Sequence, residues 1–365
     1  MFGVTDESPE WNDWRWQYRN RIMDAERLSR VLDLSEMGKA DITACLEKFR
    51  MAITPYYASL IDLDDPGDPI RAQAVPSINE TRTFPWEMAD PLNEDSVSPV
   101  KNIVHRYKDR ALFLVTGCCP MYCRHCTRRR FVGEEECSIS DKEIEESIEY
   151  IKKTHEIRDV LVSGGDPLTL SDARLETILS RLREIDHVEI IRIGTRVPVT
   201  MPMRVTPALL SMLKKYQPIW INTHFNHPTE LTDASIKACA AIIDAGIPVG
   251  NQSVLLRGIN DNTDTIKALV LGLVRARVRP YYLYQCDMSE GLQHFRTDVR
   301  SGVRIIEELR GSITGFAVPL FVIDAPGGGG KIPVNPQYVI SIDDEKVVMR
   351  NYMGQICEYF QPGKN

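Results

Sequence analysis

The sequence predicts an α/β fold: a partial, parallel-stranded TIM-like barrel of six βα units, with a helical extension before it and a small segment after it. Two observations point there. After Lys101, short β-rich runs alternate with helix-length segments, and strands separated by helices pair in parallel through right-handed crossovers. The runs are 111–116, 159–163, 188–193, 218–224, 248–255 and 279–285. Six such units fall short of the eight of a closed α/β barrel, so the barrel is expected to stay open, with ligands at the carboxyl ends of its strands. Polar and glycine-rich residues collect at those ends: a cysteine loop after the first run, Gly164-Gly165-Asp166 after the second, Gly194-Thr195-Arg196 after the third, Asn222 to His224 ending the fourth, and Gln285-Cys286-Asp287 after the sixth.

The expected organisation is a helical and wrapping segment over 1–100, the barrel over 101–318, and a carboxyl-terminal loop and hairpin over 319–365. Trp11, Trp14 and Trp16, then Leu28, Val31, Leu32, Ile42, Leu46 and Phe49, keep near-helical apolar spacing through residue 62. From 64 to 99 prolines recur and periodicity is lost, so the chain should wrap in extended form, anchored by Ile70, Phe84 and Trp86. At 365 residues with 43% hydrophobic content the chain can bury a large core. A net charge of -7 argues against a nucleic-acid partner. The opening residues lack a basic flank and an apolar core, and no apolar run reaches the ~18 residues of a membrane span, which predicts a cytoplasmic protein. Nine cysteines, four of them packed between 118 and 126, read as metal chemistry in a reducing compartment rather than as a disulfide framework.

The run Cys119-Pro120-Met121-Tyr122-Cys123-Arg124-His125-Cys126 has the spacing C-x3-C-x2-C. Three thiolates can hold three corners of a [4Fe-4S] cluster and leave one iron open to an external ligand. The spacing resembles that of the radical S-adenosylmethionine enzymes, in which the ligand is the amino and carboxylate groups of the cofactor's methionine. A structural zinc site is the alternative, but zinc needs a fourth Cys or His, and His125 is cramped between two of the thiols. Cys118 competes with Cys119 as first ligand; the signature spacing favours Cys119.

Ser163, Gly164, Gly165 and Asp166 form a thin strand end at which backbone N–H groups can meet a carboxylate, here that of S-adenosylmethionine. Farther on, Lys331 follows four glycines, Gly327 to Gly330. A lysine there is a candidate Schiff-base partner for an aldehyde cofactor, or else a solvated lysine on a surface turn. The hydroxyl after the lysine and the spacing of a phosphate-binding Walker loop are both missing.

The segments FLVTGCCPMYCRHCTRRRF, DVLVSGGDPLTLSD, HVEIIRIGTRVPV, WINTHFNHPTE, GNQSVLLRGIN, RVRPYYLYQCDMSEGLQHFRT and DAPGGGGKIPV, in this order, resemble the lysine 2,3-aminomutase family from about Trp11 to about Tyr359. The resemblance implies a radical S-adenosylmethionine isomerase that also uses pyridoxal 5′-phosphate. It implies cluster ligation by Cys119, Cys123 and Cys126, and an internal aldimine on Lys331. It places Tyr107 and Arg110 at the pyridoxal phosphate, His224 and Gln252 near S-adenosylmethionine, and Arg128 on the substrate carboxylate. Asp287 and Asp324 match the acids that bind the distal ammonium of lysine, so L-lysine giving L-β-lysine is expected. Arginine giving β-arginine, or a relative serving protein lysylation, is the alternative. Several members bridge subunits through a structural zinc; with Asn262 at one of its positions and a chain ending at Asn365, that zinc is expected to be absent. An external one-electron reductant such as flavodoxin or ferredoxin, and a homo-oligomer, complete the expectation.

Overall fold

The structure, a computed structural model, describes residues 8–133 and 139–362; residues 1–7, on which the reading of the amino terminus partly rests, lie outside it. Short helices open the chain: α1 (Trp14–Arg19), α2 (Ala25–Leu28), α3 (Glu36–Leu46), α4 (Pro55–Ala58) and α5 (Pro69–Ala74). Each begins at a Ser, Thr or Asp whose side chain accepts from the first turn, satisfying donors that a helix start leaves unpaired. Leu28, Leu32 and Ile42 are buried as their spacing predicts. Ile70 is a buried anchor as expected, but it lies on α5 within a wrap expected to be extended, where Asp68 and Pro69 start a helical turn. Trp86, by contrast, is 46% exposed and is tied by an N–H···O bond to Gln293.

The main sheet has the order β1 (Ile103–Tyr107), β2 (Arg110–Thr116), β3 (Asp159–Gly164), β4 (Ile190–Gly194), β5 (Ile219–Thr223), β6 (Val249–Leu255), β7 (Arg279–Gln285), β8 (Leu320–Ala325) and β9 (Gly330–Pro333). Strands β2 through β8 run parallel, and β1 and β9 add antiparallel edges. The six expected strands are present. Sequence periodicity missed β8, a seventh parallel strand reached from β7 through helix α12, so the sheet runs on across the boundary expected at 318/319. The crossover helices are α6 (Asp141–Lys153), α7 (Asp172–Arg183), α8 (Val197–Thr200), α9 (Pro207–Lys214), α10 (Asp233–Asp244), α11 (Thr263–Arg275) and α12 (Val299–Leu309). Asn262 caps α11 by accepting from Thr265 N–H. A separate antiparallel sheet, β10 (Val339–Ile342), β11 (Lys346–Arg350) and β12 (Ile356–Phe360), ends the described chain.

The alternation of a strand builds the site. In β3, Val160 and Val162 are fully buried beneath the helices, while Asp159, Leu161 and Ser163 face the lumen; in β4 Ile191 and Ile193 are buried, while Arg192 and Gly194 face inward. A closed barrel fills its lumen with layers of side chains. Here β1 and β9 do not pair as strands, and the lumen is a cavity of about 700 Å³. The seam is bridged where the Lys331 N–H donates to the Tyr107 hydroxyl at 2.9 Å.

Candidate active site

All the residues singled out as ligand-binding line this one cavity: Tyr107, Arg110, Cys119, Cys123, Cys126, Arg128, Ser163, Gly164, Gly165, Asp166, His224, Gln252, Asp287, Asp324 and Lys331. Cys118 is not among the lining residues; its thiol lies against Tyr18.

The cysteine loop leaves β2 and is held by the amino-terminal segment rather than by the barrel alone. Arg21 donates to the Cys119 carbonyl at 2.5 Å, Tyr122 N–H to the Ala52 carbonyl at 2.9 Å, and Arg124 N–H to the Gln73 side of the wrap, at its carbonyl, at 2.9 Å. The Arg124 guanidinium, 1% exposed, pairs with Glu80 at 3.0 and 2.5 Å, and Arg129 shares the same carboxylate. Burial opposes the Glu80 charge, but Arg124 and Arg129 outweigh it and hold its carboxyl below the usual range.

Burial pushes the Cys119 thiol well above its usual range, helped by Asp166 and the neighbouring thiols, and lifts Cys126 to about 11, helped by Cys123. Thiols placed so are poor anions by themselves; a multiply charged metal centre is what would make thiolates of them. The Cys123 sulfur accepts from Arg196 at 2.8 Å. Arg196 also meets Glu230 at 2.7 Å and Gln73 at 2.6 Å; burial opposes its charge, but Cys123 and Glu230 raise its pKa, so it stays cationic. Beside it, His224 is lowered to about 3 and His125 well below the usual range, by burial first and the Arg196 charge second. Both imidazoles are neutral, stacked at 5.3 Å, and one ring nitrogen of each meets the other at 3.3 Å.

The Gly164-Gly165-Asp166 strand end differs from the expectation. The N–H groups of Gly165 and Asp166 are not offered to a ligand: they donate to the carbonyls of Thr116 at 2.5 Å and Cys118 at 2.7 Å. The glycines are needed because a Cβ at 164 would lie 2.3 Å from the Thr116 oxygen and one at 165 would lie 2.2 Å from the Cys118 oxygen. Asp166, 3% exposed, accepts from the Thr195 hydroxyl at 2.7 Å and the Arg196 N–H at 2.7 Å. This motif locks the cysteine loop to the end of β4 and so sets Arg196; Ser163 remains on the lumen wall.

Across the cavity, Lys331 sits on a strand, not in a mobile loop. Gly327, Gly328 and Gly330 adopt positive φ (71°, 91° and 81°), which turns β8 back into β9 and sets Lys331 directly opposite Asp324. The ammonium donates to both Asp324 oxygens at 2.9 Å and lies 4.9 Å from the Tyr284 ring centre. Asp287 is raised to about 7 by burial first and the Asp324 charge second, against the lowering effect of Lys331. Tyr107 carries the Arg110 guanidinium over its ring at 3.9 Å. Arg128 is not free: its Nε and Nη2 donate to Glu94 at 3.0 and 2.6 Å. Unpaired buried atoms on the wall, Asn222 Nδ2, Thr223 Oγ1 and His125 Nδ1, are the mark of a wall built for a polar ligand.

Residues 113–269 match the family model described as Radical SAM superfamily, and residues 306–365 match that described as Lysine-2,3-aminomutase. The chain is 57% identical over 353 residues to L-lysine 2,3-aminomutase of Acetoanaerobium sticklandii, covering 97% of this chain and 85% of that one. It is 57% identical over 359 residues to L-lysine 2,3-aminomutase of Fusobacterium nucleatum, covering 98% and 84%. This chain belongs to the lysine 2,3-aminomutase family. A glutamate 2,3-aminomutase of Clostridioides difficile also matches, at 46% identity over 96% of this chain and 82% of that one, so membership of this wider group leaves the substrate to the pocket. Among solved structures, Streptococcus suis SuiB bound to S-adenosylmethionine gives a TM-score of 0.45 at 14% identity over 61% of this chain and 51% of that one, too loose a likeness to bear on function.

Within this aminomutase scaffold, sequence reasoning gave no role to several lining residues, Arg196 and Glu94 among them. Arg196 follows a strand-end glycine and was visible only as one polar residue among several there. Glu94 lies in the aperiodic wrapping segment, where no spacing rule marks an acid that reaches the cavity.

Proposed function

We propose that this chain is a radical S-adenosylmethionine and pyridoxal phosphate-dependent aminomutase that moves the α-amino group of L-lysine to the β-carbon, giving L-β-lysine. One observation carries the choice of lysine: two acids, Asp287 just past the end of β7 and Asp324 on the adjacent β8, face the cavity, and an ammonium of the chain itself already rests between the oxygens of Asp324. A primary ammonium is thus what this acid pair accommodates. An acidic side chain placed there would add a third carboxylate to a half-buried pair, at a cost of several kcal/mol.

When bound, the cluster and S-adenosylmethionine supply a hydrogen-abstracting radical, and pyridoxal phosphate supplies the conjugated system through which the nitrogen shifts. Cys119, Cys123 and Cys126 are the iron ligands, and Arg196 steadies Cys123 with an N–H···S bond. Ser163, the Gly164–Asp166 strand end, neutral His224 and Gln252 shape the S-adenosylmethionine side of the lumen. Lys331 holds the pyridoxal phosphate covalently, with Tyr107 and Arg110 beside it. Arg128 takes the substrate carboxylate, Asp287 and Asp324 its distal ammonium. Held at both ends, a flexible chain presents one methylene to the radical, and fixing that geometry is the protein's main contribution to rate.

The protein works in the cytoplasm, takes its electron from an external carrier such as flavodoxin or ferredoxin, and acts as a homo-oligomer on a small cationic amino acid. No helix among the described residues is long and apolar enough to cross a membrane. The test is anaerobic product analysis with lysine, arginine and glutamate side by side. β-Lysine as the main product supports the reading; β-arginine or β-glutamate in excess overturns the substrate, and no β-amino acid from any of the three overturns the reaction.

A further inference from the structure

We infer that Glu94 is a positioning residue for the substrate carboxylate: it grips Arg128 along one side of the guanidinium, so that the carboxylate docks across the free end. The inference rests on the assignment of Arg128 proposed above. Glu94 is 5% exposed, lines the cavity, and accepts from Nε at 3.0 Å and Nη2 at 2.6 Å. A guanidinium has five N–H donors in a planar fork. The side-on pair uses the Nε hydrogen and one on Nη2, which leaves both Nη1 hydrogens and the second on Nη2 along the end edge. Among the described residues Nη1 has no partner. That edge can receive a second carboxylate in a bidentate pair.

Two acids on one arginine would repel each other, and the surroundings answer this. Burial opposes the Glu94 charge, but Arg128, Arg130 and Arg106 together hold its carboxyl below the usual range, so it is anionic and its charge is matched. Its backbone is fixed as well. Arg106 donates to the Leu92 carbonyl, Arg130 pairs with Asp95 at 2.5 Å and with Asp90 at 3.3 Å, and the Ser98 hydroxyl donates to the Glu94 carbonyl at 2.7 Å. The same strap meets the turn that precedes Lys331: Gly327 N–H donates to the Pro91 carbonyl at 3.1 Å, and the Asn93 amide to the Gly327 carbonyl at 3.2 Å. Glu94 therefore references Arg128 to the hairpin that carries Lys331 and Asp324. The distance between the two ends of the substrate clamp is set by the strap.

The experiment compares Glu94→Gln, Glu94→Asp and Arg128→Met in cofactor-loaded protein without reductant. Calorimetric dissociation constants are measured for lysine and for lysinamide, which keeps both amino groups and lacks the carboxylate. Glu94→Gln replaces an acceptor by an amide donor facing Arg128, and lysine binding should weaken roughly tenfold, the size of one charge-assisted contact, while lysinamide binding stays the same. With reductant, KM for lysine should rise by a similar factor and kcat should stay within about threefold. Glu94→Asp should recover part of the loss. Because the lysine-to-lysinamide ratio is taken within each variant, partial loss of folded protein cancels. An unchanged ratio in Glu94→Gln beside a raised ratio in Arg128→Met overturns the inference alone. Equal weakening of both ligands in Glu94→Gln shows a merely structural acid and overturns it too. An unchanged ratio in Arg128→Met overturns the assignment of Arg128 on which it stands.

Discussion

The two ends of the cavity are built on opposite principles. At the cysteine end, the charged groups are paired by the protein itself: Glu80 between Arg124 and Arg129, Glu230 and Gln73 on Arg196, Asp166 on Thr195, with two neutral histidines face to face. At the Lys331 end the acids outnumber their partner. Lys331 serves Asp324, and Asp287 is left with a raised pKa. The first arrangement fixes backbone and ligand geometry before anything binds, as preorganised sites require. The second keeps an electrostatic demand that only an added cation meets. Specificity should therefore reside at the Lys331 end and radical generation at the cysteine end, and substitutions should separate the two.

The largest effect is expected at the cysteines. Replacing Cys119, Cys123 or Cys126 by serine should abolish the visible cluster absorbance and lower iron content. Cys118→Ser should retain both, since its thiol lies outside the cavity against Tyr18. A Cys118→Ser protein without iron, next to an intact Cys119→Ser protein, would reverse the ligand assignment.

Next come the acids. Asp287→Asn or Asp324→Asn leaves the substrate ammonium half-paired, a loss of roughly 1.5–3 kcal/mol, so kcat/KM for lysine should fall about ten- to two-hundredfold. Reductive cleavage of S-adenosylmethionine, a property of the other end, should fall far less. Parallel loss of both activities would show that the ends are not separable.

The smallest effect is a pH dependence. With its carboxyl raised to about 7, Asp287 is protonated below neutrality and ionised above it. A protonated acid binds an ammonium less well, so KM for lysine should fall as pH rises from 6 to 8, by up to about tenfold for a single ionisation crossing that range. Asp287→Asn should flatten the profile. A KM that rises with pH over this interval would contradict the shift and the role together.

Local pattern was enough to read the parallel strands, because alternating burial and helix-length spacers are properties of the chain over ten to twenty residues. It was enough to single out the cysteine loop too, since three cysteines within eight positions stand out before any tertiary geometry is known. β8 escaped because its pairing partner lies across α12, and its own run, Leu320–Ala325, leads straight into a turn of Pro326 and glycines that reads as loop. Gly164 and Gly165 were misread in part for a related reason: a glycine tells that a Cβ is excluded, but not by what. Only the fold shows that the carbonyls of Thr116, at the end of β2, and Cys118, rather than a ligand, would lie within 2.3 and 2.2 Å of an added Cβ.

What the sequence by itself determined is therefore the kind of chemistry: which residue types are present, at which local spacings, and on which face of each strand. What only the tertiary structure decided is pairing between charges far apart in the chain. Asp324 and Lys331 meet because positive-φ glycines close a hairpin between them, and Arg128 meets Glu94 because a proline-rich strap from before the barrel crosses its mouth. An ion pair depends on a distance of a few ångströms, and chain separation fixes that distance only within one turn, hairpin or helix face. Beyond that range the same charges could have met different partners, and the packing of the wrap against the barrel selected these.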